Sequence, residues 1–190
     1  MATSILCLNA GSSSLKFKVF EVGIGLDRAC MNIHSHSLFQ LLTSGLSVVC
    51  NGVCERVGQS DTPTAPNFHA QAAGHSPVEN VEPFDDHVAA LKRVERYLTS
   101  DLGVRPEQVV AVGHRVVMGR DHDAAVLVDD KVKREIEEGA VLAPLHNPPN
   151  LLVGIGTRPT SKRTSVLVHL TLSLSLALRA ALTRGLRRLR

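Results

Sequence analysis

Tryptophan is missing from this chain, tyrosine occurs once and phenylalanine five times, so aromatics make up 3% of the 190 residues. Single-stranded nucleic acids are held largely by stacking bases on aromatic faces, and that scarcity removes the platform. Acidic residues are missing from one whole region. Between Arg158 and Arg190 there are eight basic side chains and no aspartate or glutamate, while residues 1–157 hold 13 basic against 18 acidic ones, a net of −5. The overall charge of +3 thus joins a mildly acidic body to a basic end. The body has no electropositive footprint, and no nucleic-acid partner is expected.

A secretory leader is not expected, and no long unbroken apolar run occurs. Met1–Ser4 lead directly into the apolar "ILCL", and residues 166–182 are interrupted by His169, Thr171, Ser173, Ser175 and Arg179. A spanning helix is therefore not expected, and a cytoplasmic location is. The end reads as a disordered or aggregation-prone tail, with a basic amphipathic segment lying on a membrane surface as the alternative. Cysteines are few: Cys7, Cys30, Cys50 and Cys54. Without an oxidising context they read as reduced thiols. Cys30, His34 and His36 with Cys50 and Cys54 match no compact zinc spacing. The Walker A pattern GxxxxGK[ST] does not occur either.

What the chain does have begins at "LCLNAGSSSLKFKVF", residues 6–20. Residues 5–8 and 15–20 read as two strands, the second alternating Leu15, Phe17 and Val19 against Lys16 and Lys18. Asn9-Ala10-Gly11-Ser12 between them is turn chemistry, so a hairpin is expected. Small hydroxylated residues let backbone N–H groups approach an anion, and a nearby lysine adds a point charge. A serine-rich turn is also simply a turn, and the stretch by itself leaves both readings open.

Further along, residues 58–82 are rich in turn formers and read as loop or weak strand. Asp85 or Asp86 should cap an amphipathic helix bearing Val88, Leu91, Val94 and Leu98, closed by Gly103 and Pro106. "QVVAVGHRVV" and "AAVLVDD" (124–130) read as strands, and residues 130–138 as a helix with Val132 and Ile136 one turn apart. Asn147 is placed to cap a last helix with Pro148 in its first position. The alternation of strands and helices indicates an α/β domain.

Three separated stretches, "LNAGSSSLKFKVF", "VAVGHRVVMG" (111–119) and "APLHNPPNLLVGI" (143–155), resemble the acetate kinase family in order and spacing, with "NGVCERVG" (51–58) and "DDHVAAL" (85–91) in support. The resemblance implies a ribonuclease H-like α/β fold of the acetate and sugar kinase/actin superfamily, of which this chain holds an incomplete N-terminal domain. It implies phosphoryl transfer from ATP to acetate, giving ADP and acetyl phosphate, with Mg²⁺. Carried over residue by residue, Asn9 falls at the metal site. Ser12, Ser14 and Lys16 fall at the turn facing the nucleotide phosphates. Arg115 is the bidentate donor for the carboxylate or phosphoryl group. Val117 and Leu145 line a small methyl pocket that would admit propionate as well as acetate. Partners implied are these small molecules and, for complete family members, a second copy in a homodimer. His114 and His146 are expected to be structural, and Asp121-His122-Asp123 a solvated loop.

The sequence also departs from the family. Met118 and Arg120 replace a histidine and a glycine of "GHRVVHGG". Residues 24–50 read as an insertion, and the family-like domain is expected to span 1–155, with 156–190 a basic apolar tail unrelated to it. The family's "FDTAFH" motif does not occur after "NLLVGI", so no catalytic aspartate is assigned. A weakly active or inactive acetate kinase-type chain follows. Its alternative is a non-catalytic phosphate-binding fragment or a basic-tailed interaction protein.

Overall fold

A computed structural model describes residues 3–22, 46–59, 61–118, 122, 126–156 and 165–170. The hairpin forms and is longer than expected. Strand β1 spans Thr3–Ala10 and β2 spans Ser14–Val22, paired antiparallel with Asn9 directly opposite Lys16. Next come β3 (Leu46–Glu55), β4 (Phe68–Ala72) and β5 (Val78–Asn80), each antiparallel to the strand before it.

Helix α1 (His87–Arg96) starts where the sequence places it, with the Asp86 carboxylate accepting from the Ala89 N–H at 2.7 Å. A π-helical turn over Tyr97–Asp101 and Gly103 at φ +65° end it. Strand β6 (Val109–Val116) then lies parallel to β1. After β7 (Val126–Leu127), helix α2 (Asp130–Gly139) is capped by Asp129 and buries Val132 and Ile136. Helix α3 (Asn147–Gly156) leads to β8 (Ser165–Leu170), parallel to β6.

Among the described residues these strands form one sheet in the order β5-β4-β3-β2-β1-β6-β8-β7. An antiparallel meander thus continues into parallel strands whose connections carry the helices. Helix α1 packs on β2, and α3 packs on β1, β6 and α1. They cover one face of the sheet, where Leu6, Leu8, Leu15, Phe17, Val19, Val112, Leu91, Val94 and Val153 share a core. Phe17, Phe68 and Tyr97 meet within it at ring separations of 5.7–6.4 Å.

Two expectations meet the structure at their edges. The segment read as an insertion over 24–50 overlaps β3, since Leu46–Cys50 pair with β2; residues 24–45 lie outside the described residues, and Cys30, His34 and His36 with them. The tail drawn from 156 contributes β8, and residues 171–190 lie outside the described residues. Gly52 shows why β3 is hard to see in sequence. A Cβ there would stand 2.5 Å from the Phe17 ring and 2.4 Å from the His69 carbonyl oxygen, so a turn-forming residue occupies a strand interior for lack of room.

Candidate functional site

Side chains alternate between sheet faces along a strand. In β1, β2 and β6 this sends Leu8, Leu15, Phe17 and His114 under the helices and Cys7, Asn9, Lys16, Lys18 and Arg115 to the other face. A Cβ built on Gly113 would meet Cys7 Sγ at 3.5 Å, which fixes the same parity across the β1–β6 pair. Lys16 and Arg115 are both exposed, on strands that flank β1, so they stand about two strand spacings, roughly 10 Å, apart. Half-buried Asn9 lies between them. Farther out on the same face the charge changes sign: His69 lies 3.8 Å from Glu55 and 3.5 Å from Glu79.

The serine turn is held from behind. The Gly11 N–H donates to the Ser14 carbonyl at 2.7 Å, and the Val57 N–H donates to the Ser13 carbonyl at 3.0 Å. The buried His87 ring reaches the Gly11 carbonyl with Nε2 at 2.7 Å, where a carbonyl can only accept. Ser12 and Ser13 are exposed and Ser14 is half-buried. A turn whose carbonyls are drawn back to the body suits an anion approaching from outside.

Beyond β6 the chain is clamped at Met118. Asn147 is fully buried; its Oδ1 accepts from the Met118 N–H at 3.1 Å, and its Nδ2 donates to the carbonyls of Met118 at 2.9 Å and Ile136 at 3.0 Å. Expected as a helix cap, Asn147 instead joins the loop after Arg115 to the end of α2. Because the grip is on main-chain atoms, methionine in place of the family's histidine leaves it intact.

His114 lies on the helix-covered face, 2% exposed, beside Leu8 and Asn150. Burial pushes its imidazole down to about 4, only partly offset by Asn150 and Leu8, so the ring is neutral near pH 7. Cys50 and Cys54 are core residues whose thiols burial pushes up to about 11 and about 12. Such thiols are poor nucleophiles and poor metal ligands.

Asn9, Lys16 and Arg115 are thus brought to one face, with Ser12 and Ser14 at its rim. Val117 is half-buried just past β6. Leu145 is not enclosed: it is 69% exposed in the turn before α3, near Val141 and Leu142, which are also exposed. His87 and Asn147 escaped sequence reasoning as supports of the site. The only signals were a histidine opening a capped helix and an asparagine preceding two prolines. Neither shows which distant loop it holds. The sequence has no aspartate or glutamate after Glu138, so neither α3 nor β8 carries an acidic side chain.

The chain matches the Acetokinase family over residues 4–169, a span that includes most of β8 and passes the boundary expected at 155. It is 34% identical over 155 residues to an acetate kinase of Chloroherpeton thalassium, covering 78% of this chain and 34% of that one. It is 36% identical over 157 residues to an acetate kinase of Streptomyces avermitilis, covering 82% and 33%. It therefore spans about a third of the length of the curated relatives it matches. Among solved structures, the fold resembles an acetate kinase from Porphyromonas gingivalis, with a TM-score of 0.65 at 24% identity over 89% of this chain and 37% of that one. A propionate kinase from Francisella tularensis gives 0.61 at 21% identity, over 88% and 36%. At those identities the likeness concerns the fold, and it agrees with the α/β architecture that the family resemblance implies.

Proposed function

Because the chain belongs to the acetokinase family, we infer that its open sheet face is the phosphate- and carboxylate-binding half of an acetate kinase-type site. In that reaction an acetate oxygen bonds to the γ-phosphorus of ATP, the bond to the β–γ bridging oxygen breaks, and ADP leaves with the displaced charge. Lys16 and the serine turn are suited to the nucleotide phosphates, and Arg115 to the acetate carboxylate or the transferring group. Val117 and Leu145 are assigned to the methyl side of the acceptor, which a site of that kind opens to propionate too.

Asn9 offers one amide oxygen beside a lysine. That is enough to touch a hydrated Mg²⁺ carried by nucleotide phosphates and too little to hold the ion alone; among the described residues no group of three histidine, cysteine or acidic side chains could do so. When bound, that ion would neutralise phosphate charge.

The observation that carries this reading is the common face of Lys16, Asn9 and Arg115. Phosphoryl transfer needs positioning and charge neutralisation around the whole reacting group. Because the chain spans about a third of the length of its relatives, we infer that these residues alone bind the ligands and turn them over very slowly or not at all. The homodimer of complete family members and a cytoplasmic location belong to the same proposal; among the described residues no helix is long and apolar enough to cross a membrane.

The test is acetyl phosphate binding by calorimetry, together with hydroxamate trapping of product from ATP and acetate. The expected result is binding weakened at least tenfold by Arg115→Ala, an effect of about 1.4 kcal/mol or more, with trapped product near background. Acetyl phosphate binding that ignores Arg115→Ala, or none at all, defeats the reading.

A further inference from the structure

We propose that His87 is a positioning residue for the phosphate-facing turn: its Nε2–H holds the Gly11 carbonyl inward so that the Ser12–Ser14 edge meets an incoming polyanion. The proposal rests on the reading of that turn given above and adds to it a buried residue, 76 positions from Gly11, that acts on the turn's main chain.

The geometry is specific. His87 is the first residue of α1 and is 6% exposed, fixed in place by the Asp86 cap and by the packing of Ala90, Leu91 and Val94 in the core. Its ring crosses to the start of the turn, at 2.7 Å from the Gly11 oxygen. Two residues on, the Ser13 carbonyl is taken by the Val57 N–H at 3.0 Å. The segment supplying Val57 is joined to the entry of α1, because the Gly58 N–H donates to the Phe84 carbonyl at 2.8 Å. Both turn carbonyls are thus drawn to one rigid corner made by residues 57–58 and 84–87.

A carbonyl oxygen left free to rotate outward would repel a phosphate and could hydrogen-bond water in its place. Holding it removes that competing arrangement before the ligand arrives, which is how preorganisation raises affinity without a new contact. A side chain at Gly11 would crowd the turn, since a Cβ there would stand 2.9 Å from Ser14 Oγ. The bond needs a donor at the Nε2 position, and it is met by any side chain that places an N–H there. Glutamine reaches that position with its terminal amide, asparagine is one methylene short, and leucine has no donor.

The experiment measures MgATP binding by calorimetry, and amide hydrogen exchange over residues 11–15, on the full chain and its Lys16→Ala, His87→Gln, His87→Asn and His87→Leu variants. His87→Leu and His87→Asn are expected to bind MgATP about three- to tenfold more weakly and to exchange faster in the turn, the size of one hydrogen bond. His87→Gln should stay within about twofold of the parent in both readouts, a rescue that a merely space-filling histidine would not show. Should His87→Leu fail to fold, His87→Asn against His87→Gln decides. Parent-like binding and exchange in a folded His87→Asn overturns the proposal while leaving the phosphate site intact, provided Lys16→Ala still weakens binding. If Lys16→Ala changes nothing, or the parent does not bind MgATP, the reading of the turn falls, and the role of His87 with it.

Discussion

Lys16 and Phe17 are adjacent in the chain and belong to opposite worlds. Phe17 is 3% exposed against Phe68 and Tyr97, while Lys16 stands exposed on the face shared with Asn9 and Arg115. The same one-residue step separates Leu8 from Asn9 and His114 from Arg115. One face of the sheet is packed by helices α1 and α3, and the other presents polar side chains whose sign runs from acidic near β5 to basic near β6. The difference teaches that core packing and the exposed polar groups are divided by strand parity here, so neighbouring substitutions should have unrelated consequences.

The largest test of that division compares Phe17→Ala with Lys16→Ala. Removing the Phe17 ring leaves a cavity between Phe68, Tyr97 and β3 and should cost about 3–5 kcal/mol. A small domain with ordinary stability would then be close to unfolding. Lys16→Ala should change stability by no more than about 0.5 kcal/mol. Urea denaturation of both variants reads the contrast. A Lys16→Ala variant as unstable as Phe17→Ala would show that the open face is structural.

A second test uses protonation on the packed face. Burial holds the folded His114 imidazole at about 4, against an ordinary value of 6.5. Between those values the unfolded chain binds a proton that the folded chain does not. Stability from this group is therefore complete above pH 6.5 and is lost as pH falls toward 4. Lowering the pH from 7 to 5 should cost about 2 kcal/mol from His114. Carboxylates titrating in the same range act on parent and variant alike, so the difference between parent and His114→Gln isolates the group. Denaturation at both pH values should give the variant the shallower loss, and equal losses would place His114 in contact with water.

The division was readable wherever a pattern was local. Alternation in residues 15–19 showed which side of β2 is apolar, and Asp86 caps α1 as its sequence context indicates, whereas Asp129, read as part of a strand over 124–130, lies beyond the two-residue β7 and caps α2. The family motifs pointed to Asn9, Lys16 and Arg115, which lie in short contiguous runs and which the sheet brings to one face. What stayed hidden depends on contacts between distant segments. Strand β3 carries Asn51-Gly52, a turn signal in sequence, and only the Phe17 ring above Gly52 explains it. The segment Ser165–Leu170 looked foreign to the domain because its neighbours are serine- and leucine-rich, yet its six residues pair along β6. His87 and Asn147 act on the main chain of Gly11 and Met118, and main-chain partners leave no mark on a sequence.

The smallest effect sharpens how the open face is held from behind. Gly139 ends α2 against the Asn147 clamp: an added Cβ would stand 3.0 Å from Asn147 Nδ2 and 3.1 Å from the Met118 carbonyl oxygen. Alanine favours helix over glycine by about 1 kcal/mol, which works in favour of Gly139→Ala. Against it, Asn147 must shift by a few tenths of an ångström, and three hydrogen bonds within 3.1 Å share that one side chain. Weakening two of them outweighs the helical gain, since each contributes about 1 kcal/mol. A net loss of about 1 kcal/mol is expected, with faster amide exchange at Met118. Because Met118 follows Arg115 by three residues, acetyl phosphate affinity should fall slightly in the same variant while MgATP affinity at the serine turn does not. A stabilised Gly139→Ala with unchanged exchange at Met118 would mean that the loop beyond β6 is positioned by something other than Asn147.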